Sequence, residues 1–75
     1  MLVASTVIRI IDCITISGNK IAEPCIFPFI YKDVEYQTCT KMDHDKDWCF
    51  TEVNFTGFGI QGKWGNCNPN CPSKL

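Results

Sequence analysis

Six of the 75 residues are cysteine: Cys13, Cys25, Cys39, Cys49, Cys67 and Cys71. In so short a chain that density points to a disulfide scaffold. A domain of this size buries too little apolar surface to be comfortably stable unaided, so covalent cross-links have a clear purpose. Zinc is the competing use of cysteine, and its sites want C-x-x-C pairs with further cysteine or histidine at set spacings. Here no C-x-x-C occurs, Cys67 and Cys71 are separated by Asn68-Pro69-Asn70, and His44 is the single histidine. Disulfides are therefore expected, with no metal and no cofactor. Six cysteines admit fifteen pairings, and the sequence alone does not choose among them. Because disulfides persist in oxidising compartments, the expected location is secreted, outside the cell.

The balance of charge narrows the partners. The net charge is −1. Without a basic stripe, neither nucleic acid nor an anionic membrane surface is an expected partner. No apolar run approaches the roughly 18 residues of a transmembrane segment. Residues 1–8, MLVASTVI, are apolar but lack the basic start of a secretory signal and meet Arg9. They read as the edge of a mature or excised fragment.

Residues 57–62 spell GFGIQG, the G-x-G-x-x-G string of phosphate-gripping loops. That string needs a strand before it, a helix after it and an acidic residue about 20 positions on. Gly65, Pro69 and Pro72 forbid a following helix, and no Asp or Glu follows Glu52. The glycines are expected to serve loop geometry instead, with Gly57, Gly59 and Gly62 supplying positive φ.

Along the chain, residues 6–16 (TVIRIIDCITI) are rich in β-branched side chains and read as one extended strand, closed by a turn at 17–19. Residues 25–40 hold an aromatic-proline knot, then two short extended pieces around Lys32-Asp33. Pro28 between two phenylalanines excludes a helix there. Residues 41–47 (KMDHDKD) read as a solvated charged loop, since a calcium loop would want a central glycine and a terminal glutamate. A short strand at DWCFTE, a long turn-rich loop at 54–62 and a last strand at KWGNC complete the pattern. The expected fold class is small, disulfide-rich and mostly β or irregular, with short antiparallel strands.

The spacing across residues 25–67 carries more: C-x-F-P-F-x-Y, then Y-x-x-C-T, then W-C-x-T, then K-W-G-x-C. It resembles the fibronectin type II module, a kringle-like domain held by two disulfides. The matching residues are Cys25, Phe27, Pro28, Phe29, Tyr31, Tyr36, Cys39, Thr40, Trp48, Cys49, Thr51, Trp64, Gly65 and Cys67. The resemblance implies a module over residues 23–72, an N-terminal extension strand at 1–22 and a tail at 73–75. It also implies the bonds Cys25–Cys49 and Cys39–Cys67. Cys13 and Cys71 are left over and are expected to pair, clasping the N-terminal strand to the NPNCP turn. Two departures stand out. The stretch between Thr51 and Trp64 is longer than in compact family members, and Asn66 occupies a position that is usually aromatic, which would shrink an aromatic platform at one edge.

Members of that family bind denatured collagen, or choline head groups in certain seminal plasma proteins, through exposed aromatics. The resemblance therefore implies ligand contacts at Tyr31, Trp48 and Trp64, with Phe58 or Phe55 standing in from the longer loop. Phe27, Phe29 and Tyr36 are expected in the core, because so small a domain has little else to bury. No catalytic constellation is visible. His44 lacks a nucleophile if every cysteine is oxidised, the serines sit in flanking stretches, and Asp43, Asp45 and Asp47 lie in a loop that offers no desolvating pocket. The expected function is a non-catalytic binding module for collagen or gelatin. A choline-phospholipid binder is an alternative. So is a small protease inhibitor working through loop 52–63, although glycine-rich loops are not stiff enough for that task. Asn54-Phe55-Thr56 is an N-glycosylation sequon, making Asn54 a candidate glycosylation site. A place within a larger multidomain chain stays open.

Overall fold

The computed structural model describes residues 13–73. Within them lie five short strands: β1 (Thr15–Ser17), β2 (Phe29–Tyr31), β3 (Val34–Tyr36), β4 (Trp48–Phe50) and β5 (Trp64–Cys67). No helix occurs among the described residues. The fold class is thus the one expected, a small disulfide-rich frame of short antiparallel strands and loops. Of the strand expected over residues 6–16, the part at 6–12 lies outside the described residues. β1 runs on to Ser17, and the chain turns at Gly18, where φ is 94°.

β1, β5 and β4 form a three-stranded sheet in that order, with the C-terminal strand in the middle. Cys49 faces Gly65 and Phe50 faces Trp64 across one ladder, and Thr15 faces Cys67 across the other. The central glycine is required by crowding, since a Cβ at Gly65 would run into Thr15 and the Lys20 carbonyl. Both sheet edges are occupied. Thr15 N–H donates to Glu23 O at 2.9 Å on one side, while Thr40 and Trp48 exchange backbone bonds at 3.0 and 2.9 Å on the other.

β2 and β3 form a separate antiparallel hairpin, with Tyr31 facing Val34. Its two-residue turn is Lys32-Asp33, both at positive φ (51° and 66°), as the twist of a tight hairpin demands. The Phe27–Pro28 peptide is cis. Phe29, the next residue, lies at the centre of the molecule with its side chain wholly buried. Tyr36, Trp48 and Phe50 surround Phe29 at ring-centroid distances of 5.4, 5.5 and 5.3 Å. These rings share one buried cluster with Cys13, Cys39, Cys49 and Cys71.

Three disulfides complete it: Cys13–Cys71, Cys25–Cys49 and Cys39–Cys67, with Cα separations of 4.6, 5.7 and 6.7 Å. Two bridges touch, with Cys25 Sγ lying 3.8 Å from Cys67 Sγ. The sulfurs group closely enough to suggest a metal cage, but each is already bonded to another sulfur and offers no thiolate.

Candidate functional site

Where the hairpin leans against the larger sheet, Tyr31, Trp48, Phe50 and Trp64 wall a cleft of about 470 Å³. That size and aromatic character are typical of ligand-binding clefts. The rings brace one another edge to face: Tyr31 on Trp48 at 5.0 Å, Trp48 on Phe50 at 5.0 Å and Trp48 on Trp64 at 6.4 Å. Trp48 is 5% exposed and forms the cleft floor. Trp64 is half-buried and leaves ring surface for a ligand.

The segment Lys41–Asp47 does more than face water. Its charged side chains are mostly exposed, yet Met42, Asp43 and His44 supply one wall of the cleft. Side-chain bonds hold them there. Trp48 Nε1 donates to the Met42 carbonyl at 2.9 Å. Tyr31 Oη donates to Asp43 Oδ2 at 2.8 Å, and Lys32 Nζ meets the same oxygen at 2.7 Å. The Lys32 and Tyr31 bonds hold the Asp43 carboxyl below the usual carboxylate range, while that carboxylate pushes the Tyr31 hydroxyl and the Lys32 ammonium above theirs.

Asn66 anchors the other end of that wall. It is buried, and its Nδ2 donates to Ser17 Oγ at 3.0 Å. Its Oδ1 is then the acceptor for His44 Nε2 at 2.8 Å, which fixes the ring against Trp64 at 5.3 Å. Asn66 thus acts as a polar strut and seats an imidazole at the cleft edge.

Of the four contact residues expected from the sequence, Tyr31, Trp48 and Trp64 come together and Phe58 does not. Phe58 bridges to Ile30 of β2 and is 42% exposed outside the cleft. Alternation along the chain explains this. Its neighbour Gly59 points inward onto the Phe50 ring, so Phe58 points away. Phe50 is an aromatic ring of the cleft that was not among the expected contacts. A period-2 signal was present, because Trp48 and Phe50 share one face of β4.

The long loop carries a network of backbone bonds. Asn54 N–H donates to Phe58 O and Gly57 N–H donates to Asn54 O, both at 2.9 Å, making a tight hairpin. That hairpin is pinned to β2 through Ile30, whose N–H donates to Gly57 O and whose carbonyl accepts from Gly59 N–H. Gly57 and Gly62 hold the expected positive φ of 96° and 85°. Gly59 does not. It is glycine because any Cβ there would enter the Phe50 ring. Backbone bonds therefore tie this glycine-rich loop to β2.

A braced aromatic cleft on a disulfide-locked frame of minimal strands defines a small binding module. The sequence profile of the fibronectin type II domain matches residues 25–67, more than half of the chain, and the chain belongs to that family. Similar curated proteins include matrix metalloproteinase-9 of Canis lupus familiaris, 39% identical over 59 residues. Binder of sperm protein homolog 2 of Mus musculus is 35% identical over 52 residues, and the 72 kDa type IV collagenase of Gallus gallus is 34% identical over 55. These matches span 76%, 69% and 71% of this chain but only 8%, 36% and 8% of the relatives. Among solved structures no significant match was found. No helix of the described residues is long and apolar enough to cross a membrane.

Proposed function

We propose that this domain is a non-catalytic, extracellular binding module for extended proline-rich chains of the collagen or gelatin type. The observation that carries the reading is the cleft itself, with Tyr31, Trp48, Phe50 and Trp64 lining about 470 Å³ in braced orientations. A polyproline-type strand is already stiff and has no internal hydrogen bonds, so it loses little entropy on docking into an aromatic groove. The name of the type IV collagenase relative supports a collagen-type ligand, and the short share of that relative which is matched supports a module within a larger chain. Three disulfides support an oxidising, extracellular setting.

A choline head group is the second reading, favoured by the Asp43 carboxylate beside the rings. Each well-placed ring would contribute about 0.5–1 kcal/mol to a quaternary ammonium at an exposed site. Lys32 counters it. Its ammonium lies 2.7 Å from Asp43 Oδ2, so the cleft edge has little net negative charge to offer a cation. The balance favours an uncharged extended chain.

The test is retention of the oxidised protein on immobilised denatured collagen, beside Trp64→Ala and Tyr31→Ala, with phosphorylcholine as eluting competitor. Retention by the wild type and its loss in both folded variants supports the cleft. Elution by phosphorylcholine would mean that both ligand types share it. Wild-type protein that flows straight through would refute the collagen reading, and choline liposomes and protease titration would then separate the alternatives.

A further inference from the structure

The tip of the 53–59 hairpin poses a problem that the cleft does not explain. Phe55 is 99% exposed, and Phe58 beside it is 42% exposed. A bare aromatic at a loop tip loses the burial that would stabilise it and invites association with other apolar surfaces. Phe55 directly follows Asn54, the acceptor residue of the Asn54-Phe55-Thr56 sequon, and the Phe58 backbone pairs with Asn54 across the hairpin.

The folded geometry of Asn54 is suited to an attached sugar. Its Oδ1 accepts from Thr56 N–H at 2.9 Å, from Thr56 Oγ1–H at 2.7 Å and from Phe58 N–H at 3.0 Å. These bonds lock the side chain as an Asx turn, with Asn at the first position of the tight turn and Gly57 at the fourth. The carbonyl oxygen does all of this bonding, and Nδ2 has no partner among the described residues. The nitrogen that would bear a glycan is therefore the one side-chain atom whose substitution disturbs no contact. The residue is exposed, and nothing in the fold must move.

We propose that Asn54 carries an N-linked oligosaccharide, whose first sugar rings cover the aromatic tip formed by Phe55 and Phe58. The donor is a lipid-pyrophosphate-linked oligosaccharide. Asn54 Nδ2 forms a bond to the anomeric carbon, the bond from that carbon to the pyrophosphate breaks, and the pyrophosphate leaves with the electron pair. One amide proton passes to a base of the transferase. The flat apolar faces of sugar rings suit an aromatic neighbour, which accounts for a phenylalanine where exposed loops usually carry polar residues. The sugar stands on the hairpin one pair beyond Gly59, a residue of the cleft rim, so the two sites are separate but adjacent.

The test uses the chain secreted from eukaryotic cells, with a second, engineered sequon on a C-terminal linker as an internal control. Intact mass should show an oligosaccharide at Asn54, removed by peptide-N-glycosidase and absent from Asn54→Gln and Thr56→Ala. After enzymatic removal, the protein should be retained longer on a hydrophobic-interaction column, and Phe55→Ala should abolish that delay. An unmodified Asn54 in chains whose linker sequon is glycosylated would overturn the proposal. Glycosylation at Asn54 with no change in retention after its removal would overturn the covering role.

Discussion

Gly59→Ala tests whether the cleft is built as described. A Cβ at this position would overlap the Phe50 ring at Cδ2 and Cε2. That ring has little room to yield, packed as it is on Phe29 at 5.3 Å, Trp48 at 5.0 Å and Tyr31 at 6.0 Å. Nor can the loop back away freely, because Gly59 N–H donates to Ile30 O at 3.1 Å. Overpacking of this kind costs about 1–3 kcal/mol. For a domain of this size each kcal/mol lowers Tm by about 4–8 °C. Gly57→Ala is the matched control. Its Cβ would meet Ile30 Cδ1 at an ordinary 3.5 Å, so its cost is the backbone strain of a φ of 96°, about 1–2 kcal/mol. The mechanisms separate under substitution by asparagine, which tolerates left-handed backbone. Gly57→Asn should recover stability relative to Gly57→Ala, and Gly59→Asn should be worse than Gly59→Ala. Thermal unfolding under non-reducing conditions reads the stabilities. Retention on denatured collagen, well below each Tm, reads the cleft, and only the Gly59 variants should weaken it. Steric exclusion at Gly59 is refuted if Gly59→Ala is within about 0.5 kcal/mol of wild type, the range of surface changes. It is equally refuted if asparagine rescues both positions, since Gly59 would then be a flexibility residue like Gly57.

Asn66→Ala should cost about 1–3 kcal/mol by removing the shared partner of Ser17 and His44, and hydrogen exchange at residues 42–45 should accelerate; unchanged exchange would mean the strut does not hold that wall. Removing the Cys13–Cys71 bond with a double alanine variant should lower stability by about 4 kcal/mol in the loop-closure picture for a separation of 58 residues, read by urea unfolding. A loss near zero would show that the clasp does not constrain the unfolded chain. The Asp43 carboxyl should titrate below the usual value of about 3.9, followed by carboxyl-carbon NMR. Because its folded pKa is depressed, its stabilising contribution is full above the unfolded value and is lost as pH falls through the folded one. Lys32→Met should raise that midpoint more than Tyr31→Phe, and the reverse order would contradict the hydrogen-bond assignment.

Much of the frame was legible because it depends on local chemistry. Cysteine density in a short chain required cross-links. Pro28 between two phenylalanines excluded helix, and the extended runs on either side of Lys32-Asp33 marked β2 and β3. The family spacing led to Tyr31, Trp48 and Trp64, which the structure gathers into one cleft.

What the sequence could not reveal depends on partners that are distant along the chain. The charged segment at 41–47 has the composition of a solvated loop, and most of its side chains are indeed exposed. It becomes a cleft wall only through Asp43 bonded to Tyr31, 12 residues before it, and His44 bonded to Asn66, 22 residues after it. Gly59 and Gly57 look alike as letters, but one faces an aromatic ring and the other sits in a turn. Composition and short-range spacing determined that this chain is a disulfide-locked β module, since cross-link demand and backbone preference act over a few residues. Tertiary structure decided which rings meet, which loop walls the cleft and which phenylalanines are left outside, because those outcomes require packed surfaces that no local stretch contains.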